Sequence, residues 1–231
     1  MAVDYRPGAC LCLAVQFGEA VIYTPKFVTA SILDLCAQIR PGAKPLFIRV
    51  TPGPGCDVSN CFWNVKRKVD VEGGRIQYGW AIWETPHIFV EAEHHCVYES
   101  PGGRPLRDIT PQVHPENDRV LFLPDDSAVY EFENEGVRRD NFRLAIVEDP
   151  LIEAFFRLAE EKNAILNEIP GIGMVTLEGD TAVRFQRNQE EFAQLELYLK
   201  MKYTPQGAPC FCGSNQKFKR CHGSSRPRLP R

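Results

Sequence analysis

Apolar residues recur along this chain with two different periods, and the changes of period divide it into elements. From Phe27 to Ile39 the positions Phe27, Val28, Ile32, Leu35, Cys36 and Ile39 have helical spacing, and PGAK stops the pattern. LFIRV at 46–50 predicts a strand that leaves through the loop TPGPG. Phe62, Val65 and Val69 predict a short helix ending at Gly73-Gly74, and IQYGWAIWE and HIFVEAEHHCVYE then predict two long strands. SPGG reads as a turn, and LRDIT, RVLFLP and FRLAIVE as further strands. Two helices follow: Pro150 to Glu168, broken at PGIG, and Gln189 to Lys202, carried by Phe192, Leu195, Leu197 and Leu199. This order predicts an α+β body over residues 1–202, with a central antiparallel sheet packed by helices. A linker at 203–209 containing TPQGAP leads to a small module at 210–223 and a basic, disordered end at 224–231.

Composition supports one domain with an appendage. The chain has 231 residues, 44% hydrophobic and 25% charged, enough for one good-sized core but short for two. No apolar run approaches the roughly 18 residues that cross a bilayer. The opening MAVDYRPGACLCLAV places an acid and a proline where an export signal needs a basic region and a long apolar stretch. With nine cysteines, an odd number, and three of them in a metal-like motif, a reducing cytoplasm is the expected location.

Charge separates the two parts further. The chain carries a net −3, yet Tyr203 to Arg231 holds six basic residues and no acid, so the remainder carries −9. An acidic body does not suit a nucleic-acid groove, which leaves nucleic acid or another acidic surface as a partner for the tail alone. Gly53-Pro54-Gly55 and Gly171-Ile172-Gly173 lack the strand, helix and lysine context of phosphate loops, so no nucleotide is assigned.

The tail segment CFCGSNQKFKRCHG spaces its donors as C-x-C-x8-C-H. Cys210, Cys212, Cys221 and His222 thereby supply three thiolates and one imidazole, the complete tetrahedral set of a structural zinc, with no position open for a catalytic water. This segment resembles the SEC-C motif, the zinc-binding module at the C-terminus of the bacterial SecA translocase, over residues 208–223. The C-x-C-G-S start, the Lys217-Phe218-Lys219 middle and the Cys-His end carry the resemblance. It implies one structural zinc ion and a docking role.

The body contains a second constellation, in GCDVSNCFWNV (55–65) and EAEHHCVYESPGGRPLRDITP (91–111). Cys61 opens the short helix, with Ser59 and Asn60 as capping candidates, and a helix N-terminus stabilises a thiolate. His94 and His95 are candidate bases, and strand alternation lets only one face the sulfur. A turn centred on Pro101-Gly102 would set His95 directly across from Asp108, the neighbour that orients a base. A helix-start Cys, a strand His and an Asp on the next strand resemble the transglutaminase-like and papain-like thiol enzymes. The resemblance implies Cys61 as nucleophile, His95 as base and Asp108 as orienter, with Trp80 or Asn64 as supports. Residues 45–125 also resemble an uncharacterised bacterial family that often bears the same tail.

Three functions are open on this reading. The first is a cytoplasmic thiol enzyme for amide or acyl groups (peptidase, amidase, deamidase or transglutaminase-like), directed to a partner by its tail. The second is a non-catalytic adaptor docked by the zinc module to a ribosome, chaperone or other acidic surface. The third is a protein with a second metal site built from Cys56, Cys61, His94, His95 and Cys96. Cys10 and Cys12, with no histidine nearby, read as strand residues, and Trp63, Trp80 and Trp83 as core or cleft lining.

Overall fold

The computed structural model describes residues 3–5, 23–103, 105–113, 117–133, 138–169 and 175–225. Its elements run β1 (Val3–Tyr5), α1 (Ala30–Ile39), β2 (Leu46–Arg49), α2 (Cys61–Glu72), β3 (Arg75–Thr85) and β4 (Phe89–Glu99). They continue with β5 (Leu106–Arg107), β6 (Arg119–Pro124), β7 (Phe142–Ala145), α3 (Pro150–Asn167), β8 (Val175–Leu177) and α4 (Gly179–Tyr203). The architecture is α+β: helices pack on an antiparallel sheet ordered β2-β6-β3-β4-β5, with β7 also on β4.

The long β3–β4 hairpin is the spine. Its register runs from Arg75↔Glu99 to Thr85↔Phe89 and sets Gly79 opposite His95. Gly79 is required there, because a Cβ would lie 2.2 Å from the Leu123 carbonyl oxygen and 2.6 Å from the Phe122 ring of neighbouring β6. Since β3 covers one edge of β4 throughout, β7 and β5 share the other edge. There β7 pairs with Phe89–Ala92 and β5 with Tyr98–Glu99. Between them, Glu93 to Val97 meet no strand of the described residues on that edge, and this gap is where the candidate chemistry lies.

The two ends of the sheet also meet. Asp108 donates its N–H to Arg49 O (3.1 Å) and accepts from Thr51 N (2.7 Å), while Gly53 N reaches Ile109 O (3.0 Å). This parallel bridge between Val50 and Asp108 closes the five strands on themselves, and Ile48, Ala81, Val97, Val120 and Phe122 form a buried cluster. The predicted strand LRDIT therefore shortens to Leu106–Arg107: from Asp108 onward the backbone exchanges its β4 partners for β2 partners.

On the outer face, α1 begins where the Thr29 hydroxyl accepts the Ile32 N–H (3.4 Å). It buries Ile32, Leu35 and Cys36 against Trp80, Ile82, Val90, Ala92, Leu121 and Leu123. Next to it, α2 packs Cys61 and Val65 on Cys96 and Tyr98. Helix α3 starts at Pro150, with the Asp149 carboxylate capping Leu151 N (3.0 Å). It pairs with α4, and together they bury Ile152, Phe155, Phe156 and Leu199 against Ile88 and Phe89 at the hairpin turn. Lys202 Nζ and Tyr203 Oη both bond Asp149 Oδ2 at 2.6 Å, which fastens the end of α4 to the start of α3.

Other expected boundaries shift for tertiary reasons. Helix α4 begins ten residues before the predicted Gln189, because Ala182 and Phe185 find Ile165 and Leu166 to pack against. Strands β1 and β8 are three residues each and, among the described residues, pair only with one another, Val3↔Leu177 to Tyr5↔Val175. FRLAIVE contributes only Phe142–Ala145 as strand. Cys10, Cys12, the break PGIG at 170–173 and the basic end from Arg226 to Arg231 lie outside the described residues. No helix among the described residues is long and apolar enough to cross a membrane.

Candidate functional site

In the tail, the four donors of C-x-C-x8-C-H converge. Cys210, Cys212, Cys221 and His222 place their ligand atoms within 4.8 Å of one another. Cys210 Sγ lies 3.3 Å from His222 Nδ1, Cys221 Sγ 3.4 Å from the same nitrogen, and Cys212 Sγ 3.6 Å from Cys221 Sγ. A tetrahedral zinc with bonds of about 2.3 Å to sulfur and 2.0 Å to nitrogen sets its ligands about 3.5–3.8 Å apart, so the set fits that ion. Its closed shell suits a structural role.

Local backbone bonds bring the donors together. Cys210 N bonds Gln216 O (2.8 Å), Phe218 N bonds Ala208 O (2.8 Å) and Lys219 N bonds Gln206 O (3.1 Å), folding the segment back on itself. Phe218, fully buried, is the core of the module and packs against Phe211, whose ring lies 4.9 Å from that of His222. Gly223 has no room for a side chain, since a Cβ would sit 2.8 Å from the Phe218 ring. Lys217, Lys219 and Arg220 are exposed and form no ion pair among the described residues.

In the body, Cys61, His95 and Asp108 meet at the gap in the β4 edge. Cys61 is the first residue of α2, 4% exposed, and shares a buried cluster with Cys96, where the His95 ring and the Cys96 side chain and backbone act on its thiol. His95 Nε2 lies 3.1 Å from Asp108 Oδ2, which leaves Nδ1 as the ring nitrogen for the sulfur. The carboxylate is held in turn by Thr110 N on Oδ1 (2.9 Å) and Gln112 Nε2 on Oδ2 (3.2 Å). Asp108 is fully buried, its backbone pinned by the sheet closure.

Electrostatics charge the first two members of this chain oppositely. Burial alone would raise the Cys61 pKa, but the Cys96 side chain, the His95 charge and its hydrogen bond bring it down to about 5. Burial opposes charge on His95 as well, yet the neighbouring Cys61 and Asp108 hold its pKa well above the usual histidine value. Both shifts favour a thiolate beside an imidazolium.

The arrangement departs from the sequence expectation in its details. Tyr98 pairs with Arg107, so the register runs two residues away from the expected His95–Asp108 opposition. A slip of two preserves the face, and the two side chains meet diagonally. Asn60 occupies the N-cap position of α2, but neither it nor Ser59, which takes a left-handed backbone (φ 57°), caps the helix with its side chain. His94 points away: its Nε2 donates to Ala128 O (2.6 Å), and the ring packs between Phe62 and Trp80.

Of the two suggested supports, Asn64 lies beside the site and Trp80 does not. One turn after Cys61, Asn64 bonds the Asp57 backbone (3.0 and 2.8 Å) and Thr110 Oγ1 (3.2 Å), tying the cysteine helix to the Asp108 segment. Trp80 Nε1 bonds Asp125 Oδ2 (3.0 Å) instead. The sequence had not marked Gln112, which sits in a loop without a motif, and had offered Cys96 only as a metal ligand. The second metal site is not formed: among the described residues the tail quartet is the one Cys/His/Asp/Glu group with converging ligand atoms, and His94 is turned to Ala128.

Residues 208–224 match the SEC-C motif. No curated protein and no solved structure matches the chain. It is thus an α+β protein with a C-terminal SEC-C motif whose Cys3His set fits a zinc ion. The body is read from its own residues.

Proposed function

We propose that the body is a thiol enzyme acting on amide or acyl groups and that the zinc module positions it on a partner. The observation that carries this reading is the continuous chain Cys61, His95, Asp108, in which a buried carboxylate orients the base and the base charges the sulfur. In the proposed step the Cys61 thiolate attacks a carbonyl carbon. His95 gives its proton to the leaving amine, and the acyl group passes to water or to a second amine. Asp108, fixed by Thr110 and Gln112, keeps the imidazole in one orientation throughout.

Alkylation by iodoacetamide tests the reading. Below pH 5 the thiol is protonated and inert, and above it the thiolate reacts, so the Cys61 rate should rise with a midpoint near 5 and collapse in His95→Ala. Slow labelling of Cys61 at the same rate as Cys36, whose burial raises it to about 11, would sink the proposal.

A second reading rests on the tail alone. The exposed Lys217, Lys219 and Arg220 suit docking of the module to an acidic macromolecular surface, of the kind a ribosome or chaperone offers, with the body as a non-catalytic scaffold. Capture of a partner that is lost in a Lys217→Glu, Lys219→Glu, Arg220→Glu triple variant and untouched by Cys61→Ala would favour it.

A further inference from the structure

Cys96 has no part in the acyl-transfer scheme, yet it is a second fully buried thiol in the cluster that holds Cys61. It follows the base His95 directly in β4, is fully buried and belongs to the same cluster as Cys61, Val65, Tyr98 and Ile109. Its side chain and its backbone both act on the Cys61 thiol and help to lower its pKa. Not every buried cysteine of the body has a second thiol in its cluster. Cys36, equally buried, sits among Ile32, Leu35 and Trp80.

We propose that Cys61 and Cys96 form a reversible modification site for hydroperoxides, closing to an intramolecular disulfide. The site requires one sulfur that reacts first and a second within reach to resolve the product. The Cys61 thiolate attacks one oxygen of the peroxide. The O–O bond breaks, Cys61 becomes a sulfenic acid, and the departing hydroxide takes a proton from the His95 imidazolium to leave as water. The Cys96 sulfur then attacks the Cys61 sulfur. The S–O bond breaks, and the hydroxide leaves with the Cys96 proton as a second water. Two thiols are oxidised and one peroxide is reduced to two waters.

Several neighbours favour this pairing over deeper oxidation. Cys61 is buried, so an uncharged molecule the size of hydrogen peroxide approaches it more readily than a bulky disulfide such as oxidised glutathione. A thiol shares its buried cluster, so the sulfenic acid finds a partner before a second peroxide arrives. Cys56 packs against the same cluster but is only half-buried. Burial pushes its thiol up, which makes it a poorer competitor for the sulfenic acid. The site does not depend on Cys61 acting on acyl groups. If it does so act, the disulfide occupies the nucleophile and protects it from irreversible oxidation.

The test uses the full chain with its metal bound and a stoichiometric amount of hydrogen peroxide, followed by alkylation and peptide mapping. A disulfide joining the peptides of Cys61 and Cys96, reversed by dithiothreitol, is the expected product. In Cys96→Ser, Cys61 should instead trap a sulfenic-acid reagent and go on to sulfinic acid about tenfold faster than in the unaltered chain. Cys96→Ala provides the same comparison should the serine be poorly accommodated in an apolar site, and the mapping of the unaltered chain needs neither variant. Equal rates of sulfinic acid formation with and without Cys96 would overturn the proposal. So would a Cys56–Cys61 linkage, or a Cys61 that stays reduced. Because the readout is mass, the outcome is separate from that of any assay of acyl transfer.

Discussion

The tail and the body use the same side chains in opposite ways. In the tail, Cys210, Cys212, Cys221 and His222 point to one centre with their ligand atoms within 4.8 Å of one another, a four-donor set that would leave a tetrahedral ion no open position. In the body, Cys61, His95 and Asp108 are linked in series, Cys61 to His95 by charge and His95 to Asp108 by a 3.1 Å hydrogen bond, and among the described residues they belong to no converging ligand group. Convergence suits a cation, whereas a chain suits the passage of a proton. The supporting scaffolds differ accordingly. The tail quartet is held by short-range backbone bonds between Gln206 and Ser224. The body trio depends on one helix, one strand and the meeting of the two ends of a sheet.

The sharpest way to break this comparison is to remove the metal. Binding energies of structural zinc segments run to about 10–16 kcal/mol at neutral pH, so Cys221→Ser should abolish metal binding and unfold the module. The body's thermal transition should stay where it is, since its core clusters contain no residue of the module at 210–223. Metal analysis beside a melting curve checks both halves, and a body that melted with its tail would show the two regions to be one unit.

Asp108→Asn applies the same logic to the body. The amide keeps the shape but removes the charge that helps hold the proton on His95, so the Cys61 midpoint should climb from about 5. Alkylation below the new midpoint then slows about tenfold per unit of rise, while the rate well above it is unchanged. An unshifted pH profile with unchanged metal content would mean that Asp108 is only a packing residue.

The smallest effect is expected at Gly223. A methyl group there meets the Phe218 ring and carbonyl at 2.8 Å, an overpacking that costs about 1–3 kcal/mol. Gly223→Ala should bind the metal but yield it to a chelator at lower concentration. Loss of all metal binding would show that the module tolerates no adjustment around Phe218.

Much of the framework was legible in the chain. The helical spacing of Ile32, Leu35 and Cys36, the two long alternating strands and the proline-led α3 all stand where the pattern put them, because each is a local property of periodicity and capping. Cys61 at a helix start was legible for the same reason. The pairing of His95 with Asp108 was legible only in part: parity along β4 placed them on one face, but the turn set a register two residues away. Strands β1 and β8 carry no local signal, since three residues gain their order only from each other.

By itself the sequence determined the tail, since all four donors lie within one short segment whose own backbone bonds bring them together. It determined that the body offers a helix-start cysteine and a histidine strand with an aspartate beyond the turn. Tertiary structure alone decided that these three come together, that His94 turns to Ala128 and that Cys96 shares a buried cluster with Cys61. Those outcomes depend on how the sheet closes between Val50 and Asp108 and on the gap this leaves at the β4 edge. Contacts between distant segments are set by the packing of the whole core, and no local period records them.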